Sequence, residues 1–131
     1  MLKGANMRKI GDARYTQVYV CDEPDPQSKA CHSYKIVPAG YDIENADPYT
    51  LPNFKVDIDF QKGPIKEAGV NGCHHEDLLA IILDRLNAFQ ESEFKCRENA
   101  IAITKIQEAL FWLNSRTQSR IKRGVEGTRN V

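Results

Sequence analysis

A continuous run of helical periodicity near the C-terminus constrains the fold of this 131-residue chain more than any other feature. Apolar side chains between about residues 94 and 123 recur every three or four positions, which predicts one long amphipathic helix. At a rise of 1.5 Å per residue, this helix would be roughly 45 Å long. Its predicted inward stripe consists of Ile103, Ile106, Leu110, Leu113 and Thr117.

A shorter amphipathic helix is predicted just before it, at about residues 75–90. The turn between the two helices is short, which favours antiparallel packing as a helical hairpin. The shorter helix covers only about half of the longer one. Phe111, Trp112 and Ile121 are then left uncovered by the shorter helix. Either the β-rich head or a second subunit must cover them, and we expect a second subunit. The predicted inward stripe of the shorter helix consists of Leu78, Leu79, Ile82, Leu86 and Phe89.

The first half of the chain has the pattern of β-strands instead. Residues 14–20 and 31–37 are rich in β-branched and aromatic side chains, and residues 54–60 alternate strictly between apolar and polar. Residues 38–53 contain three prolines and predict an irregular connection. The inward side chains of the third strand are predicted to be Phe54, Val56, Ile58 and Phe60.

The predicted fold class is therefore α+β. A small N-terminal antiparallel β-sheet forms a β-rich head at residues 1–62. A C-terminal antiparallel two-helix hairpin domain, with a basic tail, follows at residues 63–131.

Composition excludes several classes of partner. Lysine plus arginine and aspartate plus glutamate number 18 each, so the formal net charge is zero. This balance argues against bulk electrostatic capture of DNA, RNA or an acidic membrane. No stretch approaches the roughly 18 apolar residues of a membrane span, and the N-terminus lacks the apolar core of a signal peptide. The expected location is the cytoplasm, where the four cysteines would be free thiols.

The basic residues are concentrated at the end of the long helix. Arg116, Arg120 and Arg123 are spaced i, i+4 and i+7 and so share one helix face. Arginine suits phosphate because its planar fork donates paired hydrogen bonds. In the following Arg-Gly-Val-Glu-Gly-Thr segment, two glycines let backbone N–H groups turn toward an anion, and the threonine hydroxyl can add a bond. The alternative is a solvated helix end, capped at Gly124 and followed by a frayed tail.

Two residues flank the predicted hairpin turn and could hold a purine. Phe89 offers an aromatic face and Asn99 an amide that can bond to a base edge. A core position for Phe89 is the alternative. Lys66, in the glycine-rich segment before the shorter helix, could meet a phosphate or belong to a plain linker.

Residues for catalysis or for metal binding are not expected. Cys73, His74 and His75 could bind zinc together with Cys31 and His32, or with Cys96, but these spacings match no common zinc ligand pattern. None of the histidines begins a His-x-Thr or His-x-Ser motif, and no nucleophile has an adjacent base. The sequence thus predicts a binding protein without catalytic residues, metal or cofactor.

The second half of the chain resembles the hairpin domain of phage sponges that counter Thoeris and CBASS defence. Four segments carry the resemblance: residues 63–72 (GPIKEAGVNG), 84–90 (DRLNAFQ), 96–113 (CRENAIAITKIQEALFWL) and 123–128 (RGVEGT). The strand-rich head, with Arg14-Tyr15 and Cys31-His32, is similar to the Thoeris members. The CBASS sponges are smaller and lack such a head.

The resemblance implies a non-enzymatic sponge in the host bacterial cytoplasm. It would sequester glycocyclic ADP-ribose, the Thoeris signal, and cyclic di- or trinucleotides of CBASS without degrading them. By position, Phe89 and Asn99 would hold the adenine, and Arg116 and Arg120 the phosphates. A second nucleotide site would be formed by Arg123, Gly124, Gly127 and Thr128.

We expect a homodimer or a higher assembly built from dimers, up to a hexamer, with sites at subunit interfaces. The uncovered aromatic side chains of the long helix motivate this expectation. The alternative function is a helical interaction protein that inhibits or adapts a host protein.

Overall fold

A four-stranded antiparallel sheet occupies the first of two compact units, residues 1–60. The computed structural model describes residues 7–45, 49, 52 and 54–131. The four strands are β1 Arg8–Asp12, β2 Thr16–Val20, β3 Ser33–Pro38 and β4 Val56–Asp59. They pair in chain order, so that β2 and β3 lie in the centre.

The core of this sheet unit is centred on β2 and β3. Val20 and Val37 are fully buried, and Cys21 and Cys31 are nearly so. The two strands pair in antiparallel register, with Val20 opposite Tyr34. The strands predicted at 14–20 and 31–37 are thus confirmed, and so is the α+β fold class.

The edge strand β1 was not predicted from the sequence. Its residues, Arg-Lys-Ile-Gly-Asp, are almost all exposed. The register shifts between Lys9 and Gly11, which marks a bulge at Ile10. Pairing with the apolar β2 creates this strand, because its own residues show no alternation that would indicate one.

The other edge strand, β4, is shorter than the predicted strand at 54–60. Phe54 and Val56 are each 41% exposed, so their predicted inward orientation is wrong. Ile58 and Phe60 are half-buried, and the Phe60 ring meets Tyr34 edge-on at 5.6 Å between centroids. The alternating apolar residues at 54–60 extend beyond the core, because the core lies under β2 and β3. Part of the connection predicted at 38–53 lies outside the described residues.

Residues 61–131 form the second compact unit, which is helical. The range predicted for the shorter helix is confirmed. The longer helix begins at residue 97 rather than about 94, because the Gln90 side chain clamps the turn. Its amide nitrogen donates to the Cys96 carbonyl at 3.1 Å, and its amide oxygen accepts from the Cys96 N–H at 3.0 Å. The helices are α1 Ile65–Ala68, α2 His75–Gln90 and α3 Arg97–Lys122.

The α2–α3 hairpin has no fully buried residue in either helix. The predicted inward stripe of α3 is confirmed, since all five of its residues are half-buried. The stripe predicted for α2 is wrong at Ile82 and Phe89, which are 46% and 38% exposed, whereas Leu83 lies half-buried. Two helices alone therefore leave much apolar surface in solvent. In the part of the chain that is described, no helix has the length and apolarity needed to cross a membrane.

Candidate ligand-binding site

The end of α3 is closed by a backbone cap. Gly124 has a φ of 72°, a left-handed conformation that favours glycine. Its N–H donates to the Ile121 carbonyl at 3.0 Å, and the Val125 N–H donates to the Arg120 carbonyl at 3.0 Å. These two bonds are those of a Schellman motif. The C-cap residue is Arg123 rather than the predicted Gly124, which lies one position later and turns the chain back beside α3.

Two of the three predicted phosphate-binding arginines contact the tail. Nη2 of the half-buried Arg120 donates to the carbonyls of Val125 and Thr128, at 3.0 and 3.2 Å. Nη1 of Arg123 donates to the Val131 carbonyl at 2.8 Å. Arg116 is exposed on the preceding turn. The three guanidiniums therefore do not form one open array: Arg120 is half-buried, whereas Arg116 and Arg123 are exposed.

The tail and α1 enclose a groove of about 330 Å³. The Lys66 N–H donates to the Gly127 carbonyl at 3.0 Å, and the Lys66 side chain lies along Gly127, where a Cβ would come within 3.3 Å of it. Nε of Arg129 lies 3.6 Å from a carboxylate oxygen of Glu67. The groove is lined by Lys66, Glu67, Gly127, Thr128, Arg129 and Asn130.

The groove overlaps only in part with the residues predicted for a second site. Gly127 and Thr128 line it, whereas Arg123 and Gly124 are not among its lining residues. The cations of the groove are Lys66 and Arg129. Sequence reasoning singled out Lys66 but missed Arg129, whose position depends on the path of the tail.

The other end of the hairpin carries an aromatic surface. The guanidinium carbon of Arg85 lies 5.0 Å from the centroid of the Phe89 ring, and the Phe94 ring lies 6.5 Å from it. Ser92 shapes the turn, because its hydroxyl donates to the Phe89 carbonyl and accepts from the Phe94 N–H. Asn99 lies half-buried in the first turns of α3. Arg85 was missed, although its i, i+4 spacing from Phe89 could have indicated the pair.

One chain does not bring these two ends together. Asn99 and Arg116 are 17 residues apart on the same helix, and Asn99 and Arg120 are 21 residues apart. At 1.5 Å per residue, these separations are about 26 and 32 Å. A ligand the size of a dinucleotide cannot reach both ends of a single hairpin.

A polar cluster in the sheet unit surrounds Asp22. Its carboxylate accepts the backbone N–H groups of His32 and Ser33 at 3.0 and 3.1 Å. Nδ1 of His32 lies 3.5 Å from the same carboxylate. These bonds fix the start of β3. Within the described residues, no group of three or more histidine, cysteine or acidic side chains is arranged to hold a metal ion.

Comparison with known proteins shows the family to which this chain belongs. Residues 53–118 match the hairpin domain of Acb2/Tad1. A protein of Bacillus phage SBSphiJ7 named Thoeris anti-defense 1 is 44% identical over 128 residues, which cover 88% of this chain and 90% of that protein. The chain belongs to the Acb2/Tad1 family. The resemblance seen in the sequence is thereby confirmed, and it extends over most of the chain.

Membership of the Acb2/Tad1 family gives the protein a role in phage anti-defence. The hairpin match covers α1 and α2 and continues along α3 to residue 118. It therefore includes Phe89, Asn99 and Arg116. Arg120 and the tail lie beyond its end.

Proposed function

We propose that the protein is a sponge that binds cyclic nucleotide immune signals in the host cytoplasm and holds them without cleavage. Glycocyclic ADP-ribose is the proposed ligand of the first site. The observation that carries the proposal is the division of the hairpin into an aromatic end and a basic end. Phe89 and Asn99 lie at one end and Arg116 and Arg120 at the other, on helices without a buried core.

A second copy of the chain would complete such a site. If two α3 helices pair antiparallel, Asn99 of one copy lies beside Arg116 and Arg120 of the other when the two-fold axis passes near residues 108–110, by simple symmetry. Phe111 and Trp112 follow directly and are 63% and 67% exposed. The pairing thus covers the aromatic side chains that one chain leaves in solvent. The proposed assembly is a homodimer or a larger set of dimers, up to a hexamer.

Each end suits a different part of the ligand. Adenine would stack on the Phe89 ring, on the face opposite the one that the Arg85 guanidinium covers. The Asn99 amide can donate to and accept from a base edge. Arg116 of the other copy would donate paired bonds to a phosphate. The balanced net charge of the chain fits a small local anion site rather than a nucleic acid surface.

The groove beside the tail is the proposed second site, for a cyclic di- or trinucleotide. Lys66 and Arg129 supply the charge, and Thr128 adds a hydroxyl. Glu67 pairs with Arg129, so a bound phosphate would replace the Glu67 carboxylate as the partner of Arg129. Arg123 and Gly124 act at a distance from the groove, by directing the tail.

Mixing two weakened variants tests the shared site. We expect Phe89→Ala to weaken glycocyclic ADP-ribose binding roughly 5- to 150-fold and Arg116→Ala roughly 10- to 150-fold in calorimetric titration. After unfolding and refolding together, mixed dimers should regain one intact site, with wild-type Phe89 from one copy and wild-type Arg116 from the other. No recovery from well-folded mixed dimers would contradict a site shared between copies.

Recovery of the ligand separates a sponge from an enzyme. Heat denaturation of the loaded protein should release glycocyclic ADP-ribose of unchanged mass, because the proposed site has no catalytic set. A released product of different mass would favour a hydrolase. Failure to bind any cyclic nucleotide, with capture of one stoichiometric host protein, would favour the interaction protein instead.

A further inference from the structure

The Arg120 side chain ties the end of α3 to the tail. Its Nη2 bonds to two carbonyls, those of Val125 and Thr128. Its own carbonyl accepts from the Val125 N–H at 3.0 Å. Hydrogen bonds from a charged donor are stronger than those from a neutral one. Arg120 therefore holds this loop through both its side chain and its backbone.

The same loop forms a wall of the groove. The Val125 carbonyl also accepts from the Thr128 N–H and hydroxyl, and the Gly127 carbonyl accepts from the Lys66 N–H. Residues 125–128 are thus fixed to α3 on one side and to α1 on the other. In a trans peptide, the carbonyl and the following N–H point in opposite directions. The carbonyls held by Arg120 therefore turn the N–H groups of Glu126 and Arg129 away from α3.

We propose that Arg120 is a positioning residue for the groove in addition to its role at the first site. Removing its side chain would loosen residues 125–128 and so weaken binding of an anionic ligand in the groove. The two roles are compatible, because a guanidinium has five N–H donors and only Nη2 is engaged by the loop carbonyls. The ligand of the groove rests on the proposed function, whereas the fixing of the loop does not.

Amide hydrogen exchange on the full chain without nucleotide tests the positioning role. Arg120→Ala should lower the protection of the Val125 and Thr128 amides by at least about tenfold, since two charge-assisted bonds are lost. Amides of α2 should keep their protection. Arg116→Ala and Gln118→Ala are matched controls on the same helix and should leave the loop protected. Unchanged loop protection in Arg120→Ala would overturn the proposal.

Titration with cyclic tri-adenylate tests the consequence for the groove. Arg120→Ala should bind it at least about tenfold more weakly than wild type, and Gln118→Ala should bind it equally well. Arg120→Lys should recover loop protection and groove binding, because an ammonium can donate to carbonyls. It should remain weak for glycocyclic ADP-ribose, because lysine lacks the planar fork.

The outcomes separate the two proposals. Wild-type affinity for cyclic tri-adenylate in an Arg120→Ala protein with a loosened loop would overturn the dependence of the groove on Arg120. If the wild type itself does not bind cyclic tri-adenylate, the proposed ligand of the groove is wrong. The exchange measurement then still decides whether Arg120 positions the loop.

Discussion

Arg116 is the cleanest single residue for testing phosphate recognition, because it is exposed whereas Arg120 also holds the tail. A charge-assisted bond contributes about 1.5–3 kcal/mol. Arg116→Ala should therefore weaken glycocyclic ADP-ribose binding roughly 10- to 150-fold in calorimetric titration. The melting temperature should hardly change. Unaltered affinity in the folded variant would favour a merely solvated helix end, and Gln118→Ala serves as the control.

Phe89 tests the aromatic half of the site. Stacking of a base on an aromatic ring contributes about 1–3 kcal/mol, so Phe89→Ala should cost roughly 5- to 150-fold in affinity. Phe89→Tyr keeps the ring and should bind like the wild type. Because Phe89 is 38% exposed, both variants should stay folded in a thermal melt. Equal affinities for the alanine and tyrosine variants would exclude a stacking role.

Spacing on a helix predicted which candidate side chains lie near one another better than it predicted their hydrogen-bond partners. The i, i+4, i+7 pattern placed Arg116, Arg120 and Arg123 near one another. It did not reveal that two of them bond to tail carbonyls, because those partners depend on a cap and a returning loop. Arg129 was missed for the same reason.

At the level of single elements, the cap at Gly124 makes a specific demand on residue type. A residue with a Cβ is strained at its φ of 72°, which costs roughly 1 kcal/mol. Gly124→Ala should lower the melting temperature by a few degrees, about 2–5 °C. Gly124→Asn should lose less, because asparagine tolerates this conformation. Identical melting curves for the glycine, asparagine and alanine proteins would contradict the cap.

The sheet unit should lose stability in alkali because of Cys21. Burial raises the pKa of this thiol above its ordinary value of 9.0. The unfolded chain then ionises first, so the free energy of unfolding should fall as the pH rises above about 9. Urea titrations between about pH 8.5 and 10 should show a smaller slope for Cys21→Ser, which does not ionise in this range. The same slope in both proteins would contradict this assignment.

A helix or strand could be predicted from the sequence where its own side chains have a helical or strand-like pattern. β2, β3 and α2 have such patterns and were found close to their observed bounds. β1 is polar and exists through pairing with β2, so no local pattern could reveal it. The start of α3 is set by hydrogen bonds from the Gln90 side chain to the Cys96 backbone. Such a contact cannot be predicted from the helix propensity of the residues themselves.

At the scale of the whole molecule, the helical hairpin has no buried core, so we expect its stability to depend on self-association. Burial of a large apolar side chain contributes about 1.5–3 kcal/mol. In a two-fold dimer the same side chain is buried in both copies, so its contribution is doubled. Trp112→Ser should thus weaken the dimer by roughly 100-fold or more, seen as a smaller mass in light scattering at micromolar concentration. Lys105→Ser, on an exposed position of the same helix, should keep the assembly. If the wild-type protein is monomeric, both the proposed assembly and the proposed shared site are wrong.

The separation of the two ends along α3 also has a consequence for how such proteins can diverge. One residue inserted between Asn99 and Arg116 would rotate the basic end by about 100° and misdirect it without changing any ligand-contacting residue. Seven residues restore the face and lengthen the helix by about 10 Å. In the proposed antiparallel pair, both copies would lengthen equally about the axis, so Asn99 of one would still lie beside Arg116 of the other. The length of this helix could then change in steps of about seven residues while the proposed site is preserved.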